Sequence, residues 1–300
     1  MTDTAKGQTW TIGDVVRWAT DDFRTRGIEN PRLDAEVLLC HALGTTRVQL
    51  IVDSRRPLEA DELAAFRELV KRRRRREPVA YLLGSREFYG RSFRVDKRVL
   101  VPRPDTEILV QVALERTEAC SLSTRALDLC TGSGCVAITL GRERPTARVL
   151  GTDISPDALA VARENQLRLG AYNVAFLQGD LFGALDGAGP FDVITANPPY
   201  ISLADMASLP PDVRDFEPRL ALEGGADGLD YYRRIVRDAP AHLAPKGCLV
   251  VEVGAGEAPD VASLFEKAGF HAVEIRRDYG QIERVVSGIW PQGSEGSQGD

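Results

Sequence analysis

The chain has 300 residues, of which 43% are hydrophobic and 27% are charged, and its formal net charge is −6. This length predicts two domains, and the apolar content is enough to fill a sizeable core. An acidic chain has no overall positive field that could draw it onto nucleic acid, so any such contact has to be local.

Residues 11 to about 83 have the spacing of short helices. Apolar side chains recur three and four residues apart from Ile12 to Phe23, and again from Leu33 to Leu43. Prolines and glycines stand between these segments, where helices usually begin and end. The pattern predicts four or five helices, and we expect residues 1–84 to form a small all-α helical-bundle domain.

The next segment changes character. From Glu87 to Asp96, aromatic and β-branched residues stand on both sides of Gly90, which predicts a β-hairpin. We expect residues 85–103 to link two domains, and a helix to open at Pro104.

Residues 104–290 have the pattern of a second domain. After Arg125, short apolar runs alternate with helical segments, which predicts an α/β fold whose doubly wound, mostly parallel sheet is covered on both faces. The last two runs are close enough to pair antiparallel. Residues 291–300 are polar and glycine-rich, which predicts a disordered tail. The strand-like runs are RALDLC, RVLGTDI, VAFLQGD, FDVITANPP, CLVVEVG, HAVEIRRD and ERVVSGIW.

The first strand of this sheet ends in a glycine-rich turn. Its sequence is DLCTGSG, from Asp128 to Gly134, and a helical pattern follows at once. Small residues let a ligand approach the backbone, and the N–H groups at the start of the helix suit a carboxylate or a phosphate. A tight turn that binds nothing is the alternative, because the third glycine of the dinucleotide fingerprint is missing.

The next two strands also end in acidic residues. Asp153 follows the turn by roughly twenty residues, where a carboxylate can accept both hydrogen bonds of a ribose diol, although it could equally cap the helix that begins after Ser155. Asp180 offers an acceptor for an adenine amino group. Phe182, two residues on, either faces the adenine or belongs to the core.

Carboxyl ends of neighbouring parallel strands meet in one crevice of a doubly wound sheet, so these groups predict a nucleotide-type cofactor site. A P-loop is excluded because no GxxxxGK[ST] occurs. The glycine turn and acid suit either a nicotinamide cofactor or S-adenosylmethionine, and the fourth strand decides between them.

The fourth strand runs into Asn197-Pro198-Pro199-Tyr200, a corner that suits methyl transfer to a planar NH₂ group. The nitrogen of such a group is a weak nucleophile because its lone pair is delocalised. The Asn197 side-chain oxygen and the Pro198 carbonyl can each accept one N–H and orient the nitrogen, while Tyr200 offers a flat face against the target group. A turn that only ends the strand is the less favoured alternative.

The motifs DLCTGSG, GTDIS, GDLF, NPPYI, LVPRPDTE and FEPRLALEGGADGLDYYR together resemble those of the release factor glutamine methyltransferases, over nearly the whole chain. The resemblance implies S-adenosylmethionine as donor, S-adenosylhomocysteine as product, and an acceptor glutamine, methylated at N5, in the Gly-Gly-Gln loop of class I peptide chain release factors. The implied cofactor residues are Cys130, Thr131, Gly132, Ser133 and Gly134 for the methionine part, Asp153 for the ribose, and Asp180 and Phe182 for the adenine, with Asn197 beside them. The implied residues for the target amide are Asn197, Pro198, Pro199 and Tyr200.

A DNA adenine N6-methyltransferase is the rival hypothesis, because adenine also offers a planar NH₂ group. Such an enzyme needs base flipping and a basic groove, whereas this chain is acidic and has no recognisable helix-turn-helix or target-recognition domain. A nucleotide-binding module without catalysis would have no reason to keep Asn197 and Tyr200.

The basic run Lys71 to Arg76 is either a solvated helix end or a contact for an acidic partner. Because every glutamine presents the same amide, selectivity has to come from remote contacts, and we expect residues 1–84 to recognise the substrate. Arg103 either lines the mouth of the substrate site or packs at a hinge. The three histidines are isolated from acids and cysteines at ligand spacing, and we assign them no role.

The five cysteines are scattered without the CxxC spacing of metal sites, which predicts reduced side chains, no bound metal and a cytoplasmic protein. The first residues lack the features of a signal peptide, and no run of about eighteen apolar residues occurs, so we expect neither secretion nor membrane insertion. We expect a monomer that binds no nucleic acid directly.

Overall fold

The computed structural model describes residues 9–120 and 123–291, so the predicted tail lies almost wholly outside the described residues. These residues form two compact units. One contains the chain up to Gly84 together with Pro211–Phe216, and the other contains Ser85–Pro210 and the chain from Glu217 onward. The short return of the chain to the first unit was not anticipated from the sequence. None of the described helices is long and apolar enough to cross a membrane.

The first unit is helical. Its helices are α1 (Ile12–Thr25), α2 (Pro31–Leu43), α3 (Arg47–Val52), α4 (Ala60–Arg74) and α5 (Val79–Leu83), with the short α9 (Pro211–Arg214) contributed by the later segment. Local signals fix the ends: Thr11 caps α1 in a capping box with Asp14, and Gly44 ends α2 at a φ of 60°. The apolar faces meet in a core that includes Phe23, Leu38 and Phe66.

The basic run at the end of α4 is largely tied to its own unit. Arg73 is only 5% exposed and pairs with Asp34 at 2.8 Å and with Asp212 at 2.6 Å. Arg74 pairs with Asp22 at 2.7 Å. Both sequence interpretations treated the run as facing solvent or a partner, and for Arg73 both are wrong. Its acidic partners lie far along the chain, where the sequence pattern could not reveal them.

The second unit begins with the predicted hairpin, β1 (Ser85–Phe88) and β2 (Arg91–Arg94), which turns at Tyr89 and Gly90 with φ values of 50° and 69°. A 3₁₀ turn at Pro104–Thr106 then leads into α6 (Glu107–Arg116). The opening of a helix at Pro104 therefore agrees with the sequence pattern.

The sheet contains all seven predicted strands: β3 (Arg125–Leu129), β4 (Arg148–Asp153), β5 (Val174–Gln178), β6 (Phe191–Ala196), β7 (Leu243–Glu252), β8 (His271–Arg277) and β9 (Glu283–Ile289). Their order is β5-β4-β3-β6-β7-β9-β8, with the first five parallel and β9 antiparallel to both of its neighbours. Further helices are α7 (Cys135–Glu143), α8 (Pro156–Leu169), α10 (Asp230–Asp238) and α11 (Ala258–Ala268). The α/β doubly wound prediction is confirmed.

Each face of the sheet has its own core, because side chains alternate along a strand. Ala126 and Val193 belong to a cluster with residues of α6, α7 and α8, whereas Leu127 and Ile194 belong to a cluster with residues of α10 and α11. The strand order reverses between β3 and β6, and ligands of such sheets bind at the carboxyl ends of the strands beside that reversal.

Candidate active site

The turn after β3 has the backbone form that the small residues allow. Cys130, Gly132 and Gly134 have φ values of 55°, 55° and 79°. A Cβ on Gly134 would stand 2.9 Å from Ile138 Cδ1 and 3.1 Å from the Phe176 ring, so only glycine fits between the turn and the core. The turn therefore presents backbone rather than side chain at the start of α7.

Asp128 lies beneath this turn and is 1% exposed. Its carboxylate accepts hydrogen bonds from the hydroxyls of Thr131, at 2.6 Å, and Thr195, at 2.8 Å. Burial raises the pKa of Asp128 to about 7, although these two hydroxyls oppose the shift. The bonds join the turn to the neighbouring strand β6.

Asp153, at the end of β4, is held by backbone donors. Its oxygens accept from the N–H of Gly132 at 2.8 Å and the N–H of Ser155 at 2.9 Å. Burial raises its pKa, while those N–H groups oppose the change. Ser155, not Asp153, caps α8, since its hydroxyl accepts from Ala158 N at 3.1 Å. The helix-cap alternative for Asp153 is therefore wrong, and each of its oxygens keeps further acceptor capacity.

After the third strand, β5, Asp180 and Phe182 lie in different surroundings. Asp180 is exposed and pairs with Arg234 at 2.6 Å. The Phe182 ring is half-buried and stacks on His242, with centroids 4.7 Å apart and planes within 2°. Leu181 has a φ of 52°, and it lines the cleft in place of Phe182. Phe182 packs against the cluster of α10 and α11 and does not line the cleft, so the core alternative for this residue is confirmed.

A cleft that is partly open to solvent lies at these strand ends. The expected site residues that line it are Arg103, Cys130, Thr131, Gly132, Ser133, Asp153, Asp180, Asn197 and Pro199. Four expected residues are absent from its lining: Gly134, Phe182, Pro198 and Tyr200. Thr106, Ile154 and Tyr231 line it as well, and sequence reasoning gave them no role.

The corner after β6 is largely buried. Pro198 and Pro199 are buried, and Asn197 is half-buried. The Asn197 Nδ2 donates to Thr106 Oγ1 at 3.3 Å, which leaves Oδ1 as the acceptor end of the amide. The Tyr200 ring packs against the α10–α11 core, and burial raises the pKa of its hydroxyl to about 12.

The segment after Glu217 clamps this corner through its backbone. Ile201 N donates to Leu222 O, and Gly224 N donates to Ile201 O, both at 2.8 Å. A Cβ on Gly224 would stand 2.6 Å from Tyr200 Cα, and one on Gly228 would stand 2.5 Å from Tyr200 O. The glycines of EGGADGL therefore permit a close backbone approach that holds the corner in place.

Comparisons with known proteins identify the family of this chain. The family model described as the PrmC N-terminal domain matches residues 14–84, and a methyltransferase domain model matches residues 121–217. The chain is 46% identical to the release factor glutamine methyltransferase of Geobacter sulfurreducens, over 95% of this chain and 99% of that protein. This chain belongs to the release factor glutamine methyltransferase family. The Rhodopirellula baltica member is 42% identical over 96% and 99% of the two chains.

Membership confirms the resemblance read from the motifs, and with it a methyltransferase that uses S-adenosylmethionine. A solved methyltransferase from Pyrococcus furiosus, 19% identical, shares the fold with a TM-score of 0.51 and covers 68% of this chain and 91% of its own. Within the parts of the chain that the structure describes, no group of histidines, cysteines and acids could hold a metal ion.

The cleft fits the cofactor that the family uses. Two carboxylates, Asp153 and Asp180, stand at adjacent strand ends as acceptors for hydroxyl and amino groups. Ile154, which is 49% exposed, and Leu181 offer apolar surface between them. The turn at Gly132 allows a polar chain to approach the backbone. This combination of backbone donors, carboxylate acceptors and apolar wall suits a nucleoside-type cofactor.

Arg103 has a buried partner that the sequence did not reveal. Its guanidinium donates to Glu217 at 2.5 Å, and Glu217 also accepts from Val101 N at 3.1 Å. Glu217 is 6% exposed, whereas the Arg103 side chain keeps 36% of its surface exposed. The pair fixes Arg103 in the wall of the cleft.

Proposed function

We propose that this chain transfers the methyl group of S-adenosylmethionine to the N5 nitrogen of the glutamine in the Gly-Gly-Gln loop of class I peptide chain release factors. The observation that carries the proposal is the position of Asn197. It lines the cleft beside Asp153 and Asp180 and points its donor end at Thr106, so the acceptor end is available to a substrate N–H.

In this reaction the main task of the protein is to orient the substrate nitrogen. An amide nitrogen is a poor nucleophile because its lone pair is delocalised, and bound S-adenosylmethionine supplies an electrophilic methyl group. Asn197 lies in the cleft wall, and its Oδ1 accepts one substrate N–H, which orients the nitrogen and favours the positive charge it gains. The second acceptor is the Pro198 carbonyl, as the sequence predicts; Pro198 does not itself line the cleft, but it stands between Asn197 and Pro199, which do. Proline at 198 and 199 fixes φ and so limits the movement of these acceptors.

The cofactor residues follow the strand ends. The backbone of residues 130–134 receives the methionine part, and Asp153 receives the ribose hydroxyls on the acceptor sites that its backbone donors leave open. Asp180 accepts from the adenine amino group while it stays paired with Arg234. Because the Phe182 ring stacks on His242, we assign the apolar contact with adenine to Ile154 and Leu181.

Tyr200 acts on the corner rather than on the substrate. Its ring packs in the core and does not line the cleft, and its backbone is clamped by Gly224 and Gly228. We therefore assign it to holding Asn197 and Pro198 in place. The flat face expected against the substrate amide falls instead to Pro199, which is in the cleft wall.

The helical unit is proposed to recognise the release factor. Helix α3 exposes Val48, Ile51 and Val52 at 71%, 69% and 70%, an apolar patch of the kind found at protein contacts. Replacing the three with serine is expected to raise KM for intact release factor while leaving S-adenosylmethionine affinity unchanged. Unchanged KM would remove this role from α3.

A transfer assay decides between the proposal and its rival. The protein is incubated with methyl-tritiated S-adenosylmethionine and offered class I release factor and duplex DNA in parallel. We expect label on the release factor alone. Label on the DNA alone would favour the adenine methyltransferase, and label on neither would reject both.

A further inference from the structure

Glu252 ends β7 and is 2% exposed. Its Oε2 is fully buried, and no described group forms a hydrogen bond of ordinary geometry with it. Burying a carboxylate without a full set of partners costs free energy, so such a group calls for a functional or structural reason.

The parallel register places Glu252 next to the start of the corner, since Ala196 of β6 pairs with Val251 of β7. Burial raises the pKa of Glu252 to about 7, and the Thr106 hydroxyl, the charge of Arg284 and the Asn197 amide oppose the rise, while Asp105 adds to it. Thr106 is 2% exposed and already accepts a hydrogen bond from Asn197 Nδ2 at 3.3 Å. The three residues come from β7, the turn before α6 and the corner after β6.

The charge state of Glu252 determines which groups donate and which accept in the hydrogen bonds among Glu252, Thr106 and Asn197. An ionised carboxylate can only accept, so a hydroxyl beside it must donate to it. The Thr106 oxygen then has to accept, and the partner that offers an N–H is Asn197 Nδ2. A protonated Glu252 could donate instead, which would free Thr106 to donate to the Asn197 Oδ1 and turn the amide round.

We propose that Glu252 is a positioning residue for methyl transfer, whose carboxylate orders the Thr106 hydroxyl and the Asn197 amide so that Oδ1 faces the substrate nitrogen. This inference rests on the proposed function, because the orientation matters only if Asn197 receives a substrate N–H. It adds Thr106 and Glu252 to the residues that hold the Asn197 amide in its orientation.

Other charged and titratable groups face Glu252 from the surrounding elements: Asp105 before α6, Cys135 on α7, Tyr200 after β6, Tyr232 on α10 and Arg284 on β9. The pKa of Cys135 and that of Tyr200 are each raised to about 12, and that of Tyr232 is also raised. Asp128, beneath the glycine turn, has a pKa of about 7, so a pH profile of activity cannot by itself assign the titration to Glu252. The test therefore needs a local probe.

That probe is the side-chain amide of Asn197. In protein labelled with ¹⁵N at asparagine, the Asn197 NH₂ resonances are identified by their loss in Asn197→Ala. We expect them to shift with a midpoint near neutral pH in the wild type and to stop shifting in Glu252→Gln, whereas Asp128→Asn leaves the shift in place. Resonances that do not titrate, or that titrate alike in Glu252→Gln, would overturn the inference whatever the enzyme methylates.

Kinetics separate positioning from a structural role. Glu252→Gln and Thr106→Val are expected to lower kcat on release factor by roughly 10- to 100-fold, with affinity for S-adenosylmethionine within a few-fold of wild type and no loss of thermal stability for Glu252→Gln. Thr106→Ser, which keeps the hydroxyl, restores most of the rate. Full activity of Glu252→Gln contradicts the inference, whereas a wild-type protein inactive on release factor contradicts the proposed function instead.

Discussion

The backbone N–H of Gly132 donates to Asp153 Oδ2 across 2.8 Å, and this bond joins the turn after β3 to the acid after β4. A second backbone donor, Ser155 N, holds the other oxygen. The two oxygens are thus oriented before any ligand arrives, which reduces the cost of ordering them on binding.

Asp153→Ala should therefore weaken binding of S-adenosylmethionine, by on the order of 1.5 to 3 kcal/mol if two charge-assisted hydrogen bonds to the ribose are lost. Isothermal calorimetry measures the change directly. Asp157→Ala is the matched control, since Asp157 is exposed on α8 and does not line the cleft. Equal affinity of the Asp153 variant and the wild type would leave this carboxylate with a purely structural role.

The clamp on Tyr200 predicts a defect in catalysis without a defect in cofactor binding. In Gly224→Ala the new Cβ would stand 2.6 Å from Tyr200 Cα and 2.7 Å from its carbonyl carbon, so the corner has to shift. We expect kcat on release factor to fall roughly tenfold or more, with cofactor affinity within a few-fold. Gly183→Ala is the control, because nothing lies within 4 Å of its Cβ. A fully active Gly224→Ala enzyme would show that the clamp does not position Asn197.

Arg73 predicts a stability effect in the helical unit. Arg73→Ser leaves the carboxylate of Asp34 without its partner and leaves Asp212 with only Arg76, at 3.7 Å, and breaking a buried pair in this way costs about 3 to 5 kcal/mol. Urea unfolding followed by tryptophan fluorescence measures the loss, since two of the three tryptophans, Trp10 and Trp18, lie in the helical unit. Arg75→Ser, on the exposed side of the same run, should change the free energy of unfolding by less than about 0.5 kcal/mol. Similar losses of unfolding free energy in both variants would show that the buried ion pairs of Arg73 contribute no more to stability than the exposed Arg75 does.

Glu252 predicts a pH-dependent stability difference. Its folded-state pKa of about 7 lies above the ordinary value of 4.5, so between these pH values the folded protein holds a proton that the unfolded chain has lost. The contribution of this group to the free energy of unfolding therefore falls as pH rises through that window, by about 1.4 kcal/mol per pH unit, and levels off above it. Glu252→Gln lacks this decline.

Urea unfolding at about pH 5 and about pH 8 tests the sign. From the lower to the higher pH, the free energy of unfolding of Glu252→Gln should rise by on the order of 2 to 3 kcal/mol relative to that of the wild type, since only the wild type has to bury the charge. Asp128 contributes a similar decline in both proteins and cancels in the comparison. A difference that stays constant with pH would show that Glu252 titrates near its ordinary value.

Much of the fold could be predicted because its signals are local. Apolar runs of strand length and the residues directly after them located β3 to β6, and with them Asp153, Asp180 and Asn197 at one edge of the sheet. Pro104 and Gly90 marked a helix start and a hairpin turn for the same reason: one residue determines the backbone there.

The misses concern partners that are distant along the chain. Glu217 lies 114 residues from Arg103, and the two partners of Arg73 lie 39 and 139 residues away, so no periodicity could pair them. The sequence left Phe182 between the cleft and the core, and the structure places Phe182 in the core and Leu181, with a φ of 52°, in the cleft wall. Glu252 did have a signal, since it is a charged residue inside the apolar run LVVEV.

Asn197 is the central residue of the proposed methyl transfer, and one measurement tests its role directly. Release factor is treated with each enzyme and S-adenosylmethionine, and mass spectrometry of the peptide that contains Gly-Gly-Gln follows the rate at which its glutamine gains a methyl group. The wild type should modify that glutamine, and Asn197→Ala should do so two to three orders of magnitude more slowly, with cofactor affinity within a few-fold. A methyl group at another position, or a near-normal rate with Asn197→Ala, would contradict the account.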